Sequence, residues 1–459
     1  MEQFVDRELE IGTLEKEYEK KGASLVIVYG RRRVGKTTLL SEFMKRKKAL
    51  YFLATQEAEA LNRSAFQEKA AAFIDSDLLA EMSADRWDTI FKAIVSCHWE
   101  AKPVLIIDEF QYLGKANPAF PSVFQRIWDE ILMKSSVMVI LCGSLISMMV
   151  SQTLSYNSPL YGRRTAQIRL KQIPFRYYCK FVPGLSRKER IERYAVTGGV
   201  PRYIESFSDC PDIFAGIEEN ILNRTGYLYE EPHFLLQQEV AEVGGYFSVL
   251  RAIAFGRTKL SEIASFMEAK ATDLTRTLKT LIELDLVQRE VPVTEENPEK
   301  SKKGLYRITD YYIRFWLTMI YSNQGDIEQG NTTYVIEKIR ESFVRSHAAF
   351  VYEDICREEL AVRNDLPCHF SKIGRYWDKN TEIDVVALNE EEGAILFGEC
   401  KYWSGQVDVD VFYRLQEKAR RVAWHKDNRK ELYCIFSMSG FSPRLQELAD
   451  SRGDLILSE

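Results

Sequence analysis

Residues 25–41, LVIVYGRRRVGKTTLLS, constrain this chain more than any other stretch. An apolar β-type run ends at Gly30, and Gly30-x4-Gly35-Lys36-Thr37 opens a helix-forming segment. Strand, glycine-rich turn and helix in that order predict a phosphate-binding loop. Glycines let backbone N–H groups turn inward around phosphate oxygens. The helix beginning at Lys36 adds the positive end of its dipole. Lys36 is placed to reach the β and γ phosphates, and the Thr37 hydroxyl to ligate Mg²⁺. The loop Gly30, Arg31, Arg32, Arg33, Val34, Gly35, Lys36, Thr37 and Thr38 is therefore the expected contact with ATP.

Residues 104–113, VLIIDEFQYL, supply the partner motif. Asp108 ends a buried strand, where its carboxylate can hold Mg²⁺ opposite Thr37. Glu109 can orient and deprotonate the attacking water. Acidic pairs after strands are common in solvated loops, but this one comes together with the loop at Gly30. ATP and Mg²⁺ are the expected ligands.

Net charge is -5 over 459 residues, which argues against coating nucleic acid by bulk charge and leaves a local basic site open. Eight scattered cysteines form no CxxC pair, so neither a zinc site nor a disulfide framework is expected. The charged start, MEQFVDRELE, has no signal core, and the longest apolar stretch, around 137–150, is too short for a bilayer. A cytoplasmic protein without a membrane partner is the plain expectation.

Strand-like and helix-like segments alternate over residues 1–175, which predicts a parallel sheet covered by helices. Residues 176–240 read as a charged helical lid, broken by Gly198-Gly199-Val200-Pro201. Residues 241–310 read as three short helices and a hairpin, a winged-helix outline. From 245 to 310 it carries 11 basic and 10 acidic residues, so DNA contact and intramolecular packing both stay open. The aromatic run YYIRFWLTMIYSN after 310 reads as a buried strut.

Residues 311–459 hold a second constellation. TEIDVVALNEEEGAILFGECKYW reads as strand, turn, strand. Side chains alternate along a strand, so a hairpin can gather Asp384, Glu399 and Lys401. Two carboxylates suit a hard divalent cation, and a lysine beside them suits phosphodiester cleavage. Glu353, one helical turn from Arg357, is a candidate to complete the metal site. Seven basic residues against two acidic ones in 414–430 offer a strip for phosphates. A plain solvent face, a degenerate binding site and an active nuclease all remain open for this hairpin.

The chain resembles the archaeal-type AAA+ ATPases related to the STAND group. FVDRELEIGTLEKEY is similar to that family's opening box, with Arg7 and Glu10 in place. GRRRVGKTTLL and LIIDEFQYL match its nucleotide motifs, and LCGSLISMM resembles its sensor strand. The resemblance implies Ser144 near the γ-phosphate and Arg163 or Arg164 as a phosphate contact, in cis or in trans. It also implies Gly199 and Pro201 as the lid motif. The C-terminal end resembles the PD-(D/E)XK nucleases through Asp384…Glu399-x-Lys401; Ile383 rather than proline precedes Asp384, and many members lack that proline too.

The implied fold is an α/β P-loop core (1–175), a helical lid (176–240), a winged helix (241–310) and a restriction-endonuclease-like α/β domain (311–459). Three functions follow: an ATP-controlled nuclease, a regulatory ATPase whose later domains only bind DNA or a protein, and a motor. Nucleic acid and a second copy of the chain are the candidate macromolecular partners.

Overall fold

Five apolar segments of the first 175 residues become strands: β1 (Ser24–Tyr29), β2 (Ala49–Leu53), β3 (Val104–Asp108), β4 (Met138–Gly143) and β5 (Ala166–Arg169). The computed structural model describes residues 4–240 and 242–459. β1, β3 and β4 are buried along their whole length, which is why they read as unbroken hydrophobic runs rather than alternating ones. The strands pair in parallel in the order β2-β3-β4-β1-β5.

This order has one consequence for chemistry. β4 lies between β1 and β3, so the carboxyl end of β4 sits between the loop after β1 and the acids after β3. A crevice at the carboxyl ends of such strands is where open α/β sheets bind ligands. One face of the sheet packs on the helix Lys36–Met44 through Leu39, Leu40 and Phe43. A separate aromatic cluster joins Phe52, Phe66, Trp87, Phe91 and Phe120.

The chain divides into two compact units, Met1–Ile173 with Val200–Arg202, and Pro174–Gly199 with Tyr203–Glu459. The segments expected as lid, winged helix and C-terminal domain thus share the second unit, except for residues 200–202, which pack with the first.

In the second unit, helices Val243–Ala254, Leu260–Phe266 and Ala271–Glu283 lead into an antiparallel pair, β6 (Val287–Glu290) and β7 (Leu305–Ile308). The connection between them is not free. Val293 N–H donates to the Arg375 carbonyl at 2.9 Å, and the Trp377 indole donates to the Lys303 carbonyl. The aromatic run after 310 is helical and buried, with Tyr312, Phe315, Trp316 and Leu317 inside.

The helix Ala349–Val362 precedes a second five-stranded sheet: β8 (Lys372–Trp377), β9 (Glu382–Asn389), β10 (Ala394–Lys401), β11 (Lys430–Ser437) and β12 (Leu455–Ser458). The order is β12-β11-β10-β9-β8, antiparallel from β8 to β10 and parallel from β10 to β12. The helix Val409–Ala419 makes the crossover between β10 and β11 and buries Phe412 and Leu415. Among the described residues, no helix is long and apolar enough to cross a membrane.

Candidate nucleotide site and a second acidic site

The loop after β1 depends on two glycines. A Cβ at Gly30 would lie 2.3 Å from the Leu170 carbonyl oxygen. Gly35 has φ +93°, a left-handed conformation that other residues enter at a cost, and it starts the helix Lys36–Met44. Arg33 also has a positive φ, +67°. Arg7 braces the loop from below, donating to the carbonyls of Val34 at 3.0 Å and Lys171 at 2.8 Å. Burial pushes its pKa down despite Glu10.

Lys36 is buried and donates to the carbonyls of Gly30 (2.9 Å) and Arg31 (2.8 Å), so its ammonium lies within the loop. Burial lowers its pKa, and Cys142, Glu109 and Asp108 oppose that effect. Thr37 is exposed on the first helical turn. Pro201 belongs to this unit, and a side chain built at Gly35 would lie 3.9 Å from its ring.

Asp108 is buried at the end of β3. Its Oδ2 accepts from the Tyr51 hydroxyl at 2.5 Å and its Oδ1 from the Glu109 N–H at 2.9 Å. Burial and the bond to Asp108 push the Tyr51 pKa far up, so the phenol remains a donor. Glu109 has φ +53°, which aims its side chain at the end of β4. There the Ser144 hydroxyl meets both carboxylate oxygens, at 2.9 and 2.8 Å, and the Ser144 N–H reaches Oε2 at 3.3 Å. The amide of Gln111 donates to Oε2 as well.

The second site lies on β9 and β10. One residue beyond the Gly398–Val385 pair, Asp384 faces Glu399. Asp384 Oδ2 accepts from the Cys400 N–H at 2.9 Å. Glu399 is buried and accepts from Lys401 at 2.8 Å and from Lys418 at 2.9 Å. Burial and then Glu399 raise the Asp384 pKa. Burial and then Asp384 raise that of Glu353 to about 7. Arg357 lies 3.9 Å from Glu353 and donates to the Asp384 carbonyl. Among the described residues, no three acidic, histidine or cysteine side chains are grouped to hold a metal ion.

Residues 4–207 match a family described as an ATPase domain predominantly from Archaea. An uncharacterized protein of Methanocaldococcus jannaschii is 35% identical over 438 residues, spanning 94% of this chain and 95% of that one. The chain belongs to the archaeal P-loop ATPases. An uncharacterized ATP-binding protein of the same organism is 49% identical over 45 residues, 10% of this chain and 76% of that one. The fold is similar to that of a Walker-type ATPase of Pyrococcus abyssi, with 18% identity and a TM-score of 0.51 over 68% of this chain and 96% of that one. Residues 316–421 match a family described as archaeal and bacterial proteins of unknown function.

Within this ATPase, Gly30 to Thr38, Asp108, Glu109, Ser144 and Pro201 all lie in the first unit. Arg163, the expected phosphate contact, is engaged by its own unit. Its guanidinium holds Asp129 through two nitrogens at 2.8 Å and caps the Pro159 carbonyl. Arg164 stacks toward Tyr161 instead. The basic strip at 414–430 is thinner than its composition, because Lys418 serves Glu399, Arg414 pairs with Asp410, and Arg429 caps carbonyls of its own turn. Sequence reasoning missed Tyr51 and Gln111, and placed Lys418 only in the basic strip, not on Glu399. Only Gln111, two residues after Glu109, had a local signal.

Proposed function

We propose that this protein hydrolyses ATP, with the loop amides and Lys36 holding the phosphates and Glu109 accepting the proton of the attacking water. The observation that carries this reading is the Glu109 carboxylate held by Ser144, at the end of the one strand separating it from the loop. Ser144 is then able to donate either to the γ-phosphate or to the base. Thr37 and Asp108 would hold Mg²⁺, and their oxygen donors fit an ion that takes one or two protein ligands plus phosphates. When bound, Mg²⁺ neutralises charge developing on the phosphate oxygens. Turnover of ATP by the purified full chain, with Lys36→Ala and Glu109→Gln alongside, tests the assignment. Equal rates in all three proteins would refute it.

For the second unit, the reading is a PD-(D/E)XK-like site acting on nucleic acid under control of the nucleotide state, with residues 241–310 as a winged helix. Asp384 opposite Glu399, with Lys401 on the same face of the β10 strand, supports it. The two carboxylates offer donors for one divalent ion once Lys418 leaves Glu399. A binding-only domain is the second reading, favoured by the two lysines already neutralising Glu399. Incubation with Mg²⁺ or Mn²⁺, with and without ATP, on single- and double-stranded DNA and RNA separates the two.

A further inference from the structure

Gln111 is fully buried, yet its Oε1 has no hydrogen-bond partner among the described residues. A buried, unmet acceptor is destabilising, and an apolar side chain of the same shape would avoid that cost. The amide cannot simply be turned over. Its Nε2 donates to Glu109 Oε2, and reversal would set two acceptors against each other. The surroundings are shaped around it. A Cβ at Gly143 would lie 2.2 Å from Gln111 Oε1. The Gln111 carbonyl accepts from Gln152 at 3.2 Å, and Gln152 in turn fits over Gly114, where a Cβ would fall 2.5 Å from its amide. Two glycines and a second glutamine therefore hold one amide against one carboxylate.

The two oxygens of Glu109 are not equivalent. Oε2 takes Gln111, the Ser144 N–H and a share of the Ser144 hydroxyl, whereas among the described residues Oε1 meets only that hydroxyl. We propose that Gln111 is a positioning residue for ATP hydrolysis, pinning Oε2 of Glu109 so that Oε1 is presented to the attacking water. This rests on the reading of Glu109 as the base. With Oε2 fixed, the carboxylate keeps one orientation after Ser144 turns to phosphate. Without Gln111, Oε2 is left to the long 3.3 Å bond from the Ser144 N–H, and a misplaced reacting group loses rate rather than affinity.

The test uses the full chain and Gln111→Met, which keeps volume and removes the donor, with Gln111→Leu as a second variant. The kcat for ATP should fall by about tenfold or more, while KM and binding of the non-hydrolysable analogue AMPPNP stay within about twofold. The melting temperature should hold or rise. Adding Gln111→Met to Glu109→Gln should cost nothing further, because Gln111 acts only through Glu109. Wild-type turnover in Gln111→Met beside a dead Glu109→Gln would overturn the inference. So would a loss that follows a lower melting temperature or weaker AMPPNP binding. No turnover in the wild type would instead remove the ATPase reading, and this inference with it.

Discussion

Lys36 already donates into the loop carbonyls, so phosphate oxygens would exchange one set of acceptors for another without moving the chain. Lys36→Ala should weaken ATP binding by at least about tenfold, read by nucleotide titration. Tyr51 bears on the metal rather than on the phosphates. Tyr51→Phe removes one donor from Asp108, so Mg²⁺–ATP affinity should fall by about fivefold while metal-free ATP binding holds, in paired titrations with and without EDTA. Glu353 makes a prediction about pH. Its pKa rises from 4.5 unfolded to about 7 folded, through burial and Asp384, against Arg375, Arg357 and Arg307. A raised acid is protonated in both states at low pH, so it carries no penalty below about 4.5. Stability is lost as pH rises from about 4.5 to about 7 and is level above that. Glu353→Gln should flatten that loss, measured by urea unfolding at pH 5 and pH 8.

At the scale of elements, the contact between the β6–β7 hairpin and the C-terminal sheet matters most. Arg307 on β7 is buried between Glu290 and Asp354, and Arg357 shares Asp354. Arg307→Ala would take one partner from each of two carboxylates, leaving Arg357 on Asp354 and Arg375 on Glu290, and should cost about 1–3 kcal/mol in denaturant unfolding. The hairpin itself was legible from alternating residues and a polar tip. Its docking against β8 was not, because backbone bonds such as Val293 to Arg375 leave no mark in side-chain pattern. The third helix, Ala271–Glu283, shows outward Asp273, Arg276, Lys279 and Glu283, and Lys279 and Glu283 pair. Charge of both signs there explains why composition left DNA contact open.

At the scale of the molecule, the two acidic sites lie in separate units with separate cores. Asp384→Ala, Glu399→Ala and Lys401→Ala should each abolish any metal-dependent cleavage and leave ATP turnover measurable. Gel assays and phosphate release on the same preparations check this. Cleavage surviving all three substitutions would place the nuclease elsewhere.

Residues close in sequence were legible because their geometry is local. A strand, a tight turn and a helix place Gly30, Lys36 and Thr37 without help from distant chain, and alternation along β9 and β10 puts Asp384 and Glu399 on facing strands. Strand order was not readable. Only the folded sheet inserts β4 between β1 and β3 and so brings Ser144 to Glu109. Nor was the commitment of Arg163 to Asp129, of Tyr51 to Asp108, or of Lys418 to Glu399. Each is a pairing across tens of residues, selected by which charge or donor the packed chain leaves within reach, and a linear pattern does not record that choice.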